Sequence, residues 1–139
     1  MYGNNWKKFV DHKNIKIFDP VQGRDFWLTL QRYRIQLNLM RPHNPDAHNM
    51  RSFEVRCVGG ILLAPDTLDH NQYFVSNKEI FLYTDLQSCM EKIKYLLSLS
   101  ALQADIIRVN ARRRSVESKY SYQSRAQQSL KFLKKLYES

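Results

Sequence analysis

Two short apolar runs, Ile35-Gln36-Leu37-Asn38-Leu39-Met40 and Ile61-Leu62-Leu63-Ala64, frame the stretch that leaves this chain the fewest choices of fold. Each suits a mostly buried strand, because short aliphatic runs fill both faces of a covered sheet. Between them, Arg41 to His48 carries two prolines and reads as a loop, and Asn49 follows as an N-cap able to receive the free N–H groups of a first helical turn. Met50, Phe53 and Cys57 recur at spacings of three and four and predict one apolar helix face. Gly59-Gly60 stands where a left-handed residue is wanted to end that helix. The unit is therefore strand, loop, helix, strand. In a parallel sheet the loop after the first strand faces the ligand crevice, and a helix N-terminus behind it attracts anions.

The remaining segments continue the alternation. Met1 to Trp6 reads as the end of a strand turning at Gly3, and Ile15 to Phe18 as a short strand closed by Asp19-Pro20. Asp25 to Arg34 predicts an amphipathic helix with Phe26, Trp27, Leu30 and Tyr33 on one side. Pro65 to Asn77 reads as a polar loop carrying Phe74, and Ile80 to Tyr83 as a further strand. Thr84 and Gln87 suggest a capping box for a helix whose face is Leu86, Cys89, Met90, Ile93, Leu96 and Leu97. Helices over Ala101 to Ser118 and Ser121 to Tyr137 complete the chain. This order predicts a single α/β domain over 1–139, with a sheet layer in 1–100 and a helical extension in 101–139.

Composition sets the outer bounds. At 139 residues and 43% apolar, the chain has material for one ordinary core. No apolar run approaches the roughly 18 residues that cross a bilayer, and Asn4, Asn5, Lys7 and Lys8 make the N-terminus too polar for a signal peptide. The expected location is cytoplasmic. Cys57 and Cys89 both fall on predicted apolar helix faces, which suits inert buried thiols. Neither a paired-cysteine metal spacing nor a P-loop or G-x-G-x-x-G occurs. His43, Asp46 and His48 offer three possible ligands on one loop, too weak a pattern to carry a metal site.

Met50-Arg51-Ser52-Phe53-Glu54, with Cys57, Gly59, Gly60 and Leu62-Leu63, resembles the R-x-F-E…C-G-G…L-L signature of the spore-protein CgeB-like glycosyltransferases, relatives of the retaining GT-B enzymes. Tyr2-Gly3…Trp6 and Ile35-Gln36-Leu37-Asn38 resemble elements upstream of that signature. Phe74, Lys78-Glu79-Ile80, Leu97 and Tyr122…Arg125 resemble elements downstream, with Tyr120-Ser121 where the family often has His-Thr. The resemblance implies a truncated Rossmann-like, doubly wound parallel sheet, the second half of a GT-B fold, with C-terminal helices. It also implies that the first strand–helix unit and the acceptor-binding half are missing, so that the chain is incomplete as an enzyme on its own.

The same resemblance implies a nucleotide-diphosphate sugar as donor, with no further cofactor, and transfer of the sugar to an acceptor that the sequence does not name. Glu54 is then the acceptor of two ribose hydroxyl bonds, although spacing alone fits a solvated helix glutamate. Asp46, eight positions earlier, fits the family's E-x7-E spacing with a shorter acid and is the candidate catalytic residue, while Pro-Asp is also ordinary turn chemistry. Backbone N–H groups of Ala47, His48 and Asn49 are placed to meet sugar or phosphate oxygens. Arg51 in the first helical turn is mildly unfavourable by about 0.3–1 kcal/mol. A diphosphate, Asp46 or Glu54 would offset that cost. Asn38 needs a structural hydrogen bond for a buried amide, and Gly59 and Gly60 serve the helix end.

Charge supplies a second class of reading. Net charge is +9, and between Arg108 and Lys135 nine basic residues face one acid, Glu117. With the apolar stripe Tyr122, Ala126, Leu130, Leu133 and Leu136, the last helix predicts a docking surface: an acceptor-domain protein, a second copy, or peripheral contact with the inner membrane face. A nucleic acid is the weaker expectation, because Tyr120, Tyr122, Phe132 and Tyr137 form no stacking platform by spacing. The alternative to a transferase is a non-catalytic binding or assembly domain.

Overall fold

A computed structural model describes residues 1–40, 43 and 46–138; of the predicted 41–48 loop, Arg41, Pro42, Asn44 and Pro45 lie outside the described residues. A three-stranded parallel sheet, β1 (Ile35–Leu37), β2 (Ile61–Pro65) and β3 (Phe81–Tyr83), lies in the order β1-β2-β3. Ile35 pairs with Ile61 and Leu37 with Leu63, while Leu63 pairs with Phe81 and Pro65 with Tyr83. The helices are α1 (Gly23–Arg32), α2 (Arg51–Cys57), α3 (Leu68–Tyr73), α4 (Leu86–Ser98), α5 (Ala101–Glu117) and α6 (Tyr122–Glu138). The fold is the expected α/β one, a Rossmann-like parallel layer covered on both faces.

The period of two along β2 builds that arrangement. Leu62 and Ala64 enter one core with Leu30, Val55, Phe74, Ile80 and Leu82. Ile61 and Leu63 enter the other with Phe81, Cys89, Leu96, Leu99 and Ala104. Alternate side chains of a strand point to opposite faces, so a strand buried over four successive residues must be covered twice. On the first face Phe53, Tyr73, Phe74 and Tyr120 pack edge to face, with ring centroids 5.3–6.2 Å apart.

The structure departs from the sequence reading in several places, and Leu37, Leu39, Leu86, Met90 and Leu97, read as buried, are 45–76% exposed. Met1 to Trp6 and Ile15 to Phe18 do not join the sheet; Tyr2 and Phe18 make one isolated parallel bridge, with their rings stacked at 4.8 Å. The predicted polar loop Pro65 to Asn77 contains α3, capped by the Thr67 side chain, which accepts the His70 N–H. Helix α4 starts one residue later than expected. Asp85, a charged acceptor, receives the Ser88 N–H at 2.7 Å, and the Ser88 hydroxyl receives the Asp85 N–H. Helix α2 buries Ser52, Val55 and Arg56 rather than Met50 and Cys57, so Cys57 is exposed and only Cys89 is a buried thiol. Helix α1 ends at Arg32, with Tyr33 already extended.

The turn out of α2 forms as the glycine pair predicts. Gly59, at φ 74°, donates to the Arg56 carbonyl, and Gly60 donates to the Val55 carbonyl at 2.7 Å, the paired bonds of a Schellman end. A Cβ at Gly60 would stand 2.6 Å from Val55 Cγ1 and 2.9 Å from the Val55 carbonyl oxygen. Gly60→Ala is accordingly expected to cost about 1–3 kcal/mol in chemical denaturation, and an unchanged midpoint would mean that α2 is not held this closely.

Arg56 is fully buried, its guanidinium 3.1 Å from the centre of the Phe74 ring and donating to the Ser52 carbonyl. Its Nε and Nη1 have no partner among the described residues. Burial pushes its pKa down to about 9, opposed by Glu79, whose carboxylate also takes two bonds from Arg114 Nε at 3.0 and 3.1 Å. Arg56 thus stays cationic at neutral pH at a desolvation cost. Arg56→Met, which keeps the volume and removes the orphaned donors, is expected to leave stability unchanged or raise it by up to about 2 kcal/mol. A clear drop in thermal midpoint would show that the cation contributes net stability.

Candidate functional site

The chain leaving β1 is held by side chains rather than by the sheet. Asn38 N–H still donates to the Leu63 carbonyl at 2.8 Å, and then the ladder stops. The buried Asn38 amide pairs with that of Asn49: Asn49 Nδ2 donates to Asn38 Oδ1 at 2.9 Å, and Asn38 Nδ2 to Asn49 Oδ1 at 3.2 Å. Asn49 Oδ1 also accepts the Ser52 N–H at 3.3 Å, so Asn49 caps α2 from just outside its first turn. The Tyr83 hydroxyl closes the group by donating to the Asn38 carbonyl at 3.1 Å, and burial raises its phenol above the ordinary value.

The network continues through the core. His70 Nδ1 lies 2.9 Å from the Pro65 carbonyl at the end of β2, which requires a proton on Nδ1 and leaves Nε2 as acceptor. The Ser52 hydroxyl, 2.8 Å away, donates to that Nε2. Burial, with smaller contributions from Arg56 and His48, pushes the His70 imidazole below its usual range, so it is neutral at pH 7. From α3, the Asp69 carboxylate takes both the His48 N–H at 3.2 Å and His48 Nδ1 at 2.6 Å. The His48 ring stands edge-on to Phe53 at 5.0 Å and to Tyr73 at 5.2 Å.

Beside this frame opens a cleft of about 1100 Å³ along β1. Its walls include the polar side chains Asn38, His48, Asn49, Arg51 and Glu54 and the aromatic side chains Tyr2, Trp6, Phe26 and Tyr33. The Glu54 side chain is 19% exposed, and among the described residues its one ion-pair partner is Arg51, 3.8 Å away. That separation is too long for a direct hydrogen bond, so the carboxylate keeps acceptor capacity toward the cleft. Arg51 rests over the Phe26 ring, 4.6 Å from its centre.

Glu54, Arg51, His48, Asn49 and Asn38 therefore come together. Asp46 and Ala47 do not line the cleft; Asp46 is exposed, and its carbonyl accepts the Asp69 N–H at 3.4 Å. His43 is exposed as well. Sequence reasoning missed Ser52, Asp69, His70 and Tyr83, the residues that hold the cleft's polar wall. The available signal was Thr67 before Asp69 and His70, a cap followed by an acid in the first turn.

The neutral His70 sets a pH dependence. Its folded pKa lies below the unfolded value of about 6.5, so the unfolded chain takes up the proton first as pH falls. The stability that His70 contributes is complete above about pH 6.5 and declines below it. Urea melts from alkaline to mildly acidic pH should show that decline in the native chain and a smaller one in His70→Gln. Parallel curves would remove His70 as its source.

The family profile described as glycosyl transferase-like matches residues 1–131. No curated protein matches the chain.

Proposed function

Because the chain belongs to the glycosyl transferase-like family, we propose that its cleft binds the nucleoside diphosphate of a sugar donor, with Glu54 accepting hydrogen bonds from the two ribose hydroxyls. The observation that carries this reading is the Glu54 carboxylate itself, largely desolvated in the cleft wall with only a distant cation beside it. A carboxylate so placed gains most from two neutral donors on adjacent atoms, which a ribose diol supplies and a lone phosphate does not. Arg51, 41% exposed beside Glu54, supplies positive charge for the diphosphate. The aromatic walls Trp6 and Tyr33 offer surface to the rest of the donor or to an acceptor.

A CgeB-like relationship and retaining GT-B chemistry belong to this proposal, resting on the order of the R-x-F-E and C-G-G elements around Arg51, Glu54, Gly59 and Gly60. The second reading is a binding or assembly domain without catalysis. It is favoured by the position of Asp46, the candidate acid, outside the cleft walls.

Titration calorimetry and amide shifts with uridine, guanosine and adenosine diphosphates should report binding centred on Asn38 to Glu54. Glu54→Gln is expected to weaken it by about 1.5–3 kcal/mol. A 2′,3′-dideoxy diphosphate should lose a similar amount against the native chain and almost nothing further against the variant. Equal affinity of the native chain for ribose and dideoxy forms would sink the ribose assignment.

A further inference from the structure

Helix α6 is where the fold leaves most unexplained. None of its residues is buried, and Leu130 and Leu133 are each 58% exposed, Tyr122 76% and Tyr137 94%. At about 100° per residue these four side chains fall within an arc of roughly 80° on one face. Lys131 and Lys135 fall across the opposite side, and Glu138 is the helix's one acid. An isolated stripe of this kind does not stabilise a helix in water, so its apolar face calls for a cover.

The root of α6 is fixed. Tyr120 packs in the aromatic cluster, and its hydroxyl donates to the Tyr73 carbonyl at 3.1 Å; the preceding Lys119 takes a left-handed turn at φ 56°. The helix therefore leaves the domain from a rigid anchor.

We propose that α6 is a docking element for an anionic lipid surface, lying in the membrane plane with its tyrosine–leucine face toward the acyl chains. Charge selects this occupant. Arg125 and Lys134 flank the stripe, about 80–100° from its centre, Lys131 and Lys135 lie on the far face, and Arg112, Arg113 and Lys119 upstream are exposed as well. A second copy would bring the same cations and the same net +9 to the contact, whereas an anionic bilayer supplies the opposite charge and the apolar depth together. Spanning is not at issue, since among the described residues no helix is long and apolar enough to cross a membrane.

The test is co-sedimentation of the full chain with vesicles of phosphatidylcholine alone and of phosphatidylcholine mixed with phosphatidylglycerol. Binding to the mixed vesicles is expected to be more than about tenfold tighter and to weaken with salt. Leu130→Gln with Leu133→Gln should abolish it without moving the thermal midpoint, because neither side chain is buried. Lys131→Gln, Lys134→Gln and Lys135→Gln should each cost about fivefold. Excess inorganic phosphate should not displace the chain beyond its effect on ionic strength. Equal binding to both vesicle types, or a double leucine variant that binds as the native chain does, overturns the proposal. So does a concentration-dependent dimer in sedimentation velocity that the leucine substitutions dissolve while vesicle binding is absent.

Discussion

The hydrogen-bonded chain Asn38–Asn49–Ser52–His70 is what the cleft depends on. It joins the end of β1, the start of α2, the end of β2 and α3. Each member is buried or half-buried, and the bonds are directional. The neutral His70 tautomer, fixed by the Pro65 carbonyl, dictates that Ser52 donates and therefore that its lone pairs face the Asn49 N–H, 3.3 Å away. Such a network in a low-dielectric interior places its members far more narrowly than apolar packing would, and any gap in it carries the full desolvation cost of an unpaired group.

The R-x-F-E…C-G-G…L-L run and the short elements around it divide physically into frame and cleft. Phe53, Phe74, Ile80, Gly59 and Gly60 are packing and turn residues, and Glu79 is occupied by Arg114 and by the Val75 N–H. Arg51 and Glu54 line the cleft, together with Tyr2, Gly3, Trp6, the Ile35-Gln36-Leu37-Asn38 segment and Met50 from the other elements. The elements thus divide between residues that seat α2 on the sheet and residues that wall the cleft.

How much of this was legible in the sequence follows from which forces leave a periodic trace. The strands Ile61–Pro65 and Phe81–Tyr83 were readable because burial writes continuous apolar runs, whereas Ile35–Leu37 is a half-buried edge whose Leu37 is exposed. The α2 terminus was readable because Gly59 takes a left-handed φ of 74° and Gly60 leaves no room for a Cβ against Val55. Helix α3 was hidden because its buried residue is a histidine, while Leu68, its one aliphatic side chain, is 74% exposed. The face of α2 was misread for the same reason: Ser52 and Arg56 are inside through hydrogen bonds and ring stacking, which hydropathy does not register. Pairings across eleven or more positions, such as Asn38 with Asn49 or Ser52 with His70, leave no local signal at all.

The register of the sheet has a consequence for the shape of its upper rim. Leu37, the last residue of β1, lies opposite Leu63, whereas β2 and β3 run on together to Pro65 and Tyr83. The rim is therefore a staircase rather than a level edge, with a drop of two residues, about 7 Å, on the β1 side. On that lower tread the backbone no longer pairs with β2, so its course is settled by an asparagine pair and by a tyrosine leaning over from the upper tread. The cleft opens here because the pairing stops short.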